Sequence, residues 1–321
     1  MSRYFSDAKH PGRAGFKETI AAYSGRGRYR FWELDFVRGL CVLLMVFDHC
    51  MYCFWDVLPA VNQLLGTSFL SGLEPLALRY WNSAFRNNVR LLVITAFFVI
   101  CGISCTLTRG NFRRCILLAI VAGGITAVTT VIDSTLIPGA QVRFGVIHML
   151  AAGIFLYAVL DEAAVCIGSL FGKGRRAEIA RQAMRFLPGA VGLALLLWLF
   201  CGGFARFSHA GGFWEVVGNF TPQGATDAEK DVYSVFLYVK NYYFRSGDYF
   251  PVLPWSALVL AGGILGRLIY HTSAKYAFRP LDGAWNKGMC AVGRHAAIIY
   301  IAHMIVIPLY FALGAYLFSL F

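Results

Sequence analysis

Residues 30–56 read RFWELDFVRGLCVLLMVFDHCMYCFWD and decide the fold class of this chain. From Phe36 to Trp55 the side chains are apolar enough for a helix that crosses a bilayer. Ionisable residues nevertheless flank or interrupt this stretch, namely Asp35, Arg38, Asp48 and His49. Such side chains are costly to bury at membrane depth, and they usually mark functional sites of membrane proteins.

The spacing of these residues places several of them on one face of the predicted helix. Arg38 and His49 are eleven residues apart, and at about 100° per residue they fall within about 20° of each other. Asp35 lies on the same stripe, which gives a polar rail roughly 16 Å long from Arg38 to His49. Asp35 and Arg38 also suit an i, i+3 ion pair at the cytoplasmic rim, with Arg38 extended towards water. The side chains of Asp48 and His49 are too short to reach water in that way, so we expect a functional role for His49.

The composition of the whole chain identifies an integral membrane protein. Of its 321 residues, 58% are hydrophobic and only 14% are charged, and the mean hydropathy is +0.59. These values lie outside the range of soluble domains. We predict an all-α, polytopic helical bundle with seven transmembrane helices, or eight if residues 290–321 form two spans. The nine cysteines lack the spacing of a disulfide framework or a zinc site.

The apolar runs and the basic residues between them predict the topology. Spans are expected at residues 36–55, 91–107, 115–132, 144–171, 187–204, 252–270 and within 290–321. With seven spans, 19 Lys and Arg residues lie on the side of the N-terminus and 8 on the other side, which predicts a cytoplasmic N-terminus. The predicted parts are a basic cytoplasmic tail, a membrane domain and, inside that domain, a long outer loop: residues 1–34, 35–321 and 205–249.

The net charge of +12 does not indicate a nucleic-acid partner, because the positive residues concentrate on one side of the membrane, where anionic lipids attract them. The basic turn after the second span contains Arg109, Arg113 and Arg114. This turn is either a topology signal alone or also a binding site for the phosphates of a nucleotide-bearing ligand.

Other polar residues near the span ends are candidates for substrate binding. His148 lies one turn inside the fourth span, where a histidine either bridges helices or has a functional role. Asp248 ends the long outer loop. Arg294 and His303 interrupt the last apolar stretch, which also contains Pro308.

Five ordered blocks of the chain resemble the heparan-alpha-glucosaminide N-acetyltransferase-like family, within the transmembrane acyltransferase superfamily that also includes the acyltransferase 3 proteins. The blocks are RFWELDFVRGLCVLLMVFDH, FFVICGISCTLTRGN, FGVIHML, DYFPVLPW and VGRHAAIIYIAH. The resemblance covers nearly the whole chain, and the closer match is to small bacterial members of the first family. It implies transfer of an acyl group, in the first place acetyl, from cytoplasmic acyl-CoA to a sugar amine or hydroxyl of an envelope glycan.

The resemblance also implies roles for individual residues. His49 would take the proton of the attacking group, since histidine titrates nearest to neutral pH. From the residues themselves we expect Asp48 or another polar neighbour to align His49. The arginine-plus-eleven histidine is the pattern of the acyltransferase 3 proteins. In the heparan-type enzyme, a functional asparagine stands at the position of His49, and the histidine which that enzyme uses falls near Ala60. Both a direct base and a covalent acyl carrier stay open for His49.

The expected location is the inner membrane of a bacterium. The expected partners are membrane lipid, a glycan acceptor, acetyl-CoA as donor substrate and a second copy in a homodimer, without metal or nucleic acid. The main alternative is a proton-coupled small-molecule transporter, but we find no internal repeat between the two halves that would favour it. A haem protein would instead use paired histidines such as His148 and His303.

Overall fold

The computed structural model describes residues 31–108, 110–135, 141–172, 174–199, 232, 234–236 and 248–320. Within these ranges the regular structure is helical, apart from one isolated bridge between Phe144 and Tyr249. The predicted all-α fold class is therefore confirmed. Residues 1–30 of the predicted tail, Arg109 and most of the predicted outer loop lie outside the described residues.

The helices are numbered here in chain order. They are α1 Trp32–Tyr52, α2 Leu58–Leu65, α3 Glu74–Trp81, α4 Ala84–Thr106, α5 Asn111–Thr135, α6 Val146–Ser169, α7 Arg175–Met184, α8 Leu187–Trp198, α9 Val252–Leu265, α10 Lys287–Arg294 and α11 Ala296–Phe318. Two π-helical segments extend this set: Cys53–Val57 joins α1 to α2, and Gly266–Tyr270 continues α9. Short 3-10 turns occupy Ser71–Leu73, Ser273–Tyr276, Arg279–Leu281 and Ala284–Asn286.

Six segments in the described part of the chain are long and apolar enough to cross a membrane. They are Trp32–Leu65, Ala84–Thr106, Asn111–Thr135, Val146–Ser169, Val252–Tyr270 and Ala296–Phe318. The predicted span at 187–204 corresponds to α8, an apolar helix of 12 residues that ends beside residues outside the described ranges. The described residues thus contain six candidate spans, and the predicted count of seven or eight is not confirmed.

The boundaries of the first two spans differ from the prediction. The first helix does not stop near residue 55 but continues through the π-helical segment to Leu65, where Gly66, with φ +66°, ends it. The second span does not begin at residue 91 but at Ala84. The reason is a local cap: the Ser83 hydroxyl oxygen accepts a hydrogen bond from the backbone N–H of Arg86 at 3.1 Å.

The last apolar stretch holds a single candidate span. The helix α10 ends at Arg294, and α11 begins at Ala296 and runs through Pro308 without a second break. Of the two arrangements expected for residues 290–321, the described residues show the one with one span.

The chain divides into two compact units, and α4 runs from one into the other. The described residues of the central unit lie within 98–277, and those of the terminal unit lie within 31–97 and 278–320. In the central unit, α9 packs against α6 and α8, and α5 packs against α6. An aromatic core of Phe98, Phe250 and Trp255 lies buried there.

In the terminal unit, α1 packs against α10 and α11. The contact between α1 and α10 is a backbone-to-backbone crossing at two glycines, Gly39 and Gly293. A Cβ atom on Gly293 would overlap the carbonyl oxygen of Asp35, so only glycine permits this approach. Towards the other end of α1, an apolar cluster of Cys53, Leu58, Ile307, Phe311 and Ala315 joins the π-helical segment and α2 to α11.

Candidate functional site

Two histidine rings meet in the terminal unit. His49 lies near the end of α1 and His303 on the first half of α11. Their ring centroids are 4.8 Å apart and their planes form an angle of 69°, an edge-to-face contact. His303 is buried, with 5% of its surface exposed, whereas His49 is partly exposed. The pair therefore has one member that a substrate can approach and one that the fold encloses.

Backbone carbonyls set the tautomer of both rings. The Nδ1 atom of His49 lies 2.9 Å from the carbonyl oxygen of Met45, and that of His303 lies 3.1 Å from the carbonyl oxygen of Ile299. A carbonyl oxygen only accepts, so each Nδ1 carries a proton and donates it. In the neutral form of each ring the lone pair then lies on Nε2, which is the form that general-base catalysis requires. The Nε2 atom of His303 is buried without a hydrogen-bond partner among the described residues.

Asp48 faces away from the histidine pair, towards Arg86. The Nε and Nη2 atoms of Arg86 donate one hydrogen bond to each carboxylate oxygen of Asp48, both at 2.7 Å. The hydroxyl of Tyr80 also donates to Asp48, at 3.1 Å. The Arg86 guanidinium lies 3.6 Å from the ring centroid of Trp81. Burial, and next the Asp48 carboxylate, raise the pKa of Tyr80 to about 12, so its hydroxyl stays protonated and keeps donating.

Of the two predicted means of aligning His49, Asp48 or another polar neighbour, Asp48 is hydrogen-bonded to Arg86 and Tyr80 instead. Neighbouring side chains on a helix point about 100° apart, so Asp48 and His49 reach different partners. His49 is oriented by the Met45 carbonyl instead. Arg86 was missed because it stands 38 residues from Asp48 and precedes the predicted second span, which was expected to begin at residue 91. The available signal was Asp48 itself, since a carboxylate within a span requires a cationic or hydrogen-bonding partner.

Asp35 and Arg38 form the i, i+3 ion pair that their spacing suits. The Nη1 atom of Arg38 lies 2.7 Å from Oδ1 of Asp35. Asp35 is 4% exposed, so this pair is enclosed by the crossing of α1 and α10 rather than spread on the surface. Arg294 ends α10 in a partly exposed position.

In the central unit, His148 is hydrogen-bonded at both ring nitrogens. Its Nδ1 accepts from the backbone N–H of Gly145 at 3.3 Å, and its Nε2 lies 3.0 Å from the Thr126 hydroxyl. That hydroxyl donates to the carbonyl oxygen of Val142 at 2.8 Å. The arrangement links α5 to the beginning of α6. Of the two expectations for His148, the geometry favours the helix-bridging one.

Asp248 has a comparable structural contact. Its Oδ2 atom accepts from the backbone N–H of Val146 at 2.9 Å and thereby caps the N-terminus of α6. His148 and Asp248 belong to the central unit, and His49 and His303 belong to the terminal unit.

The basic turn lies at the beginning of α5. Arg113 is exposed there, and Arg114 donates to the Asn111 side-chain oxygen at 3.1 Å. The chain also contains a partly buried pair that sequence reasoning did not identify, in which Nη2 of Arg267 lies 3.0 Å from Oδ1 of Asp161. No group of three His, Cys, Asp or Glu in the described ranges is arranged to hold a metal ion.

The apolar helices and the enclosed histidine pair define a multi-pass membrane protein with a polar site among its helices. The family model of the heparan-alpha-glucosaminide N-acetyltransferase catalytic domain matches residues 30–173 and 181–305. The chain belongs to this family, as the five sequence blocks predicted, and the family is one of membrane acetyltransferases. The matched ranges include both His49 and His303. No curated protein and no solved structure matches the chain.

Proposed function

We propose that the protein transfers an acetyl group from acetyl-CoA to an amine or hydroxyl of a glycan sugar, with His49 as the general base. The observation that supports this role is the hydrogen bond from His49 Nδ1 to the Met45 carbonyl, which leaves Nε2 of the neutral ring available as a base. His49 also lies within the range that matches the acetyltransferase family model. Asp48 contributes by holding Arg86, and thus by supporting the end of α1 that carries His49.

The reaction balances with one proton acceptor. The sugar nitrogen or oxygen attacks the thioester carbonyl carbon while His49 Nε2 takes the proton of the attacking group. The tetrahedral intermediate then breaks its C–S bond, and the CoA thiolate receives that proton from His49. An amide or ester bond to the sugar is formed, and free CoA leaves. General bases contribute about 10²- to 10⁴-fold to such steps.

His303 supports this step by packing against the proposed base. Its Nδ1–H is donated to the Ile299 carbonyl, which fixes the orientation of its ring. The edge-to-face contact, with ring centroids 4.8 Å apart, in turn holds the ring of His49 in place. His303 is thus assigned a positioning role, and the reacting group is assigned to His49.

The donor is proposed to bind from the cytoplasm and the acceptor from the opposite side of a bacterial inner membrane. This arrangement rests on the 19 to 8 distribution of Lys and Arg. Arg113, Arg114 and the neighbouring Arg109 are proposed to bind the CoA phosphates, with Arg38 and Arg294 as further cations on that side. The cytoplasmic tail of residues 1–34, the catalytic domain of residues 35–321 and a homodimeric assembly stay predictions.

The test uses purified protein in nanodiscs, radiolabelled acetyl-CoA and a glucosamine disaccharide. His49→Ala should abolish transfer, and His49→Asn should do the same, because an amide cannot take the proton. The matched control is His295→Asn, since His295 is exposed and also donates its Nδ1–H to a backbone carbonyl, that of Ala291 at 2.9 Å. Transfer by His49→Asn near the wild-type rate would show that the base lies elsewhere.

A further inference from the structure

Three aromatic rings form a triangle beyond His49 on the terminal unit. The centroids of Tyr52 and Trp55 are 6.0 Å apart, those of Tyr52 and Trp81 are 5.4 Å apart, and those of Trp55 and Trp81 are 5.6 Å apart. All three side chains are partly exposed, and the carboxylate of Asp56 stands exposed beside them. We call these four residues the aromatic triangle. Ligand sites commonly combine such aromatic surfaces with a few polar groups.

The backbone beneath the triangle is irregular in a way that is typical of functional sites. Trp55 and Asp56 both lie in the π-helical segment Cys53–Val57. Single π turns inside α-helices occur frequently at functional sites, because they redirect side chains. The indole N–H of Trp55 is buried and has no hydrogen-bond partner among the described residues. An unsatisfied buried donor is unfavourable, so an acceptor atom supplied by a ligand would be stabilised there.

One ring of the triangle, that of Trp81, is held by a cation–π contact. The Arg86 guanidinium lies 3.6 Å from the Trp81 centroid and is itself fixed by its two bonds to Asp48. The Trp81 side chain is therefore already ordered in the free protein, and a ligand that binds to it causes little further loss of side-chain entropy. Tyr52 and Trp55 follow His49 by three and six residues, about 4.5 and 9 Å along the helix. The triangle therefore lies about one to two helical turns beyond the proposed base along the same helix.

A second aromatic cluster, formed by Trp32, Phe36 and Trp285, lies towards the beginning of α1 and provides a contrast. Its centroids are 5.3–6.2 Å apart, much as in the triangle. Both of its indole N–H groups are satisfied within the chain, by the carbonyl oxygens of Phe278 and Leu281. Interfacial anchoring accounts for such a cluster, but it does not account for the buried donor of Trp55 or for the π-helical turn that carries it.

We propose that the aromatic triangle is the acceptor subsite and that it takes one pyranose ring of the glycan. The apolar face of the sugar, with its partly positive C–H groups, stacks on the electron-rich ring faces. The partly exposed Trp55 ring turns on binding so that its N–H donates to a sugar oxygen, and the Asp56 carboxylate accepts from a sugar hydroxyl or ammonium group. This inference rests on the proposed function, since it names the acceptor's contacts for the same transfer.

The test compares the KM for a glucosamine disaccharide between wild type and three variants. Trp55→Ala should raise the acceptor KM at least 10-fold, and Trp55→Phe, which keeps a ring but lacks the N–H, should raise it several-fold. Asp56→Asn tests the carboxylate at an exposed position where folding is not at risk. The control Trp285→Ala removes an equally large ring from the second cluster and should leave the acceptor KM unchanged.

Two measurements separate this inference from the proposed function. If wild-type protein acetylates the disaccharide and the Trp55 and Asp56 variants keep its KM, the acceptor subsite is overturned while the acetyltransferase stands. If wild-type protein transfers no acetyl group, saturation-transfer NMR of the disaccharide decides the subsite alone. Contact with the wild-type protein that is lost in Trp55→Phe and retained in Trp285→Ala supports it, and no contact with the wild type overturns it.

Discussion

Replacing Asp48 by Asn should destabilise the fold, because it leaves the Arg86 guanidinium without a counter-charge. The side chain of Arg86 is 5% exposed and that of Asp48 is 18% exposed, so solvent screens this pair little. Breaking a buried pair by removing one partner costs about 3–5 kcal/mol. We expect a value near the lower end, about 3 kcal/mol, because the cation–π contact with Trp81 persists and such a contact retains part of the stabilisation.

A double variant checks the reasoning behind this magnitude. Asp48→Leu combined with Arg86→Met removes both charges and fills a similar volume with apolar atoms. Its cost should be smaller than that of Asp48→Asn alone, since desolvation of an unpaired charge is the main penalty. A double variant as unstable as Asp48→Asn would show that packing, and not the unpaired charge, causes the loss.

The assay measures reversible unfolding of the purified protein in detergent, induced either by heat or by added denaturant. Glu178→Gln is the matched control, because it breaks the exposed pair between Glu178 and Arg181 on α7, at 3.0 Å. Exposed pairs of this kind often contribute nothing measurable. If Asp48→Asn destabilises the protein no more than Glu178→Gln does, the Asp48–Arg86 pair does not stabilise the fold.

Two further predictions concern packing and topology. Gly293→Ala should lower the free energy of unfolding by about 1–3 kcal/mol, because the added Cβ overlaps the Asp35 carbonyl oxygen and forces the helices apart. Gly288→Ala is the control, since the space around Gly288 is open. Equal thermal midpoints for the two variants would contradict the close crossing of α1 and α10. A single cysteine at position 178, introduced as Glu178→Cys in a cysteine-free background, should react with an impermeant maleimide only after permeabilisation, since the basic 172–186 segment is predicted to face the cytoplasm. Labelling in intact cells would reverse the topology.

The membrane class, the family and the approximate spans could be predicted because a bilayer leaves few choices to an apolar run. About 20 apolar residues in succession form a spanning helix, since every backbone polar group must be paired within the segment. The Asp35–Arg38 pair could also be anticipated, because an i, i+3 spacing on one helix depends only on local geometry.

The partner of Asp48 could not be predicted in this way. Arg86 reaches it from the first turns of α4, a polar segment that precedes the predicted span. The cap at Ser83 is local, but only tertiary packing brings Arg86 to Asp48. Helical periodicity likewise placed His49 on a rail with Arg38, but it carried no information about His303, which arrives from the other end of the chain. Pairings between distant residues depend on how helices cross, and a single sequence does not specify those crossings.

The π-helical segment between α1 and α2 makes the protein sensitive to the deletion of a single residue. A π turn contains one residue more than the α-helical turn it replaces, and each residue rotates the helix by about 100°. Beyond it, Leu58 is 1% exposed and Asn62 is 7% exposed, and the Asn62 side chain donates to the Phe69 carbonyl oxygen at 2.9 Å. Loss of one codon within residues 53–57 would turn both side chains away from these contacts. The phase of α2 relative to α1, and with it the face that α2 presents to its own unit, is thus set by a single inserted residue.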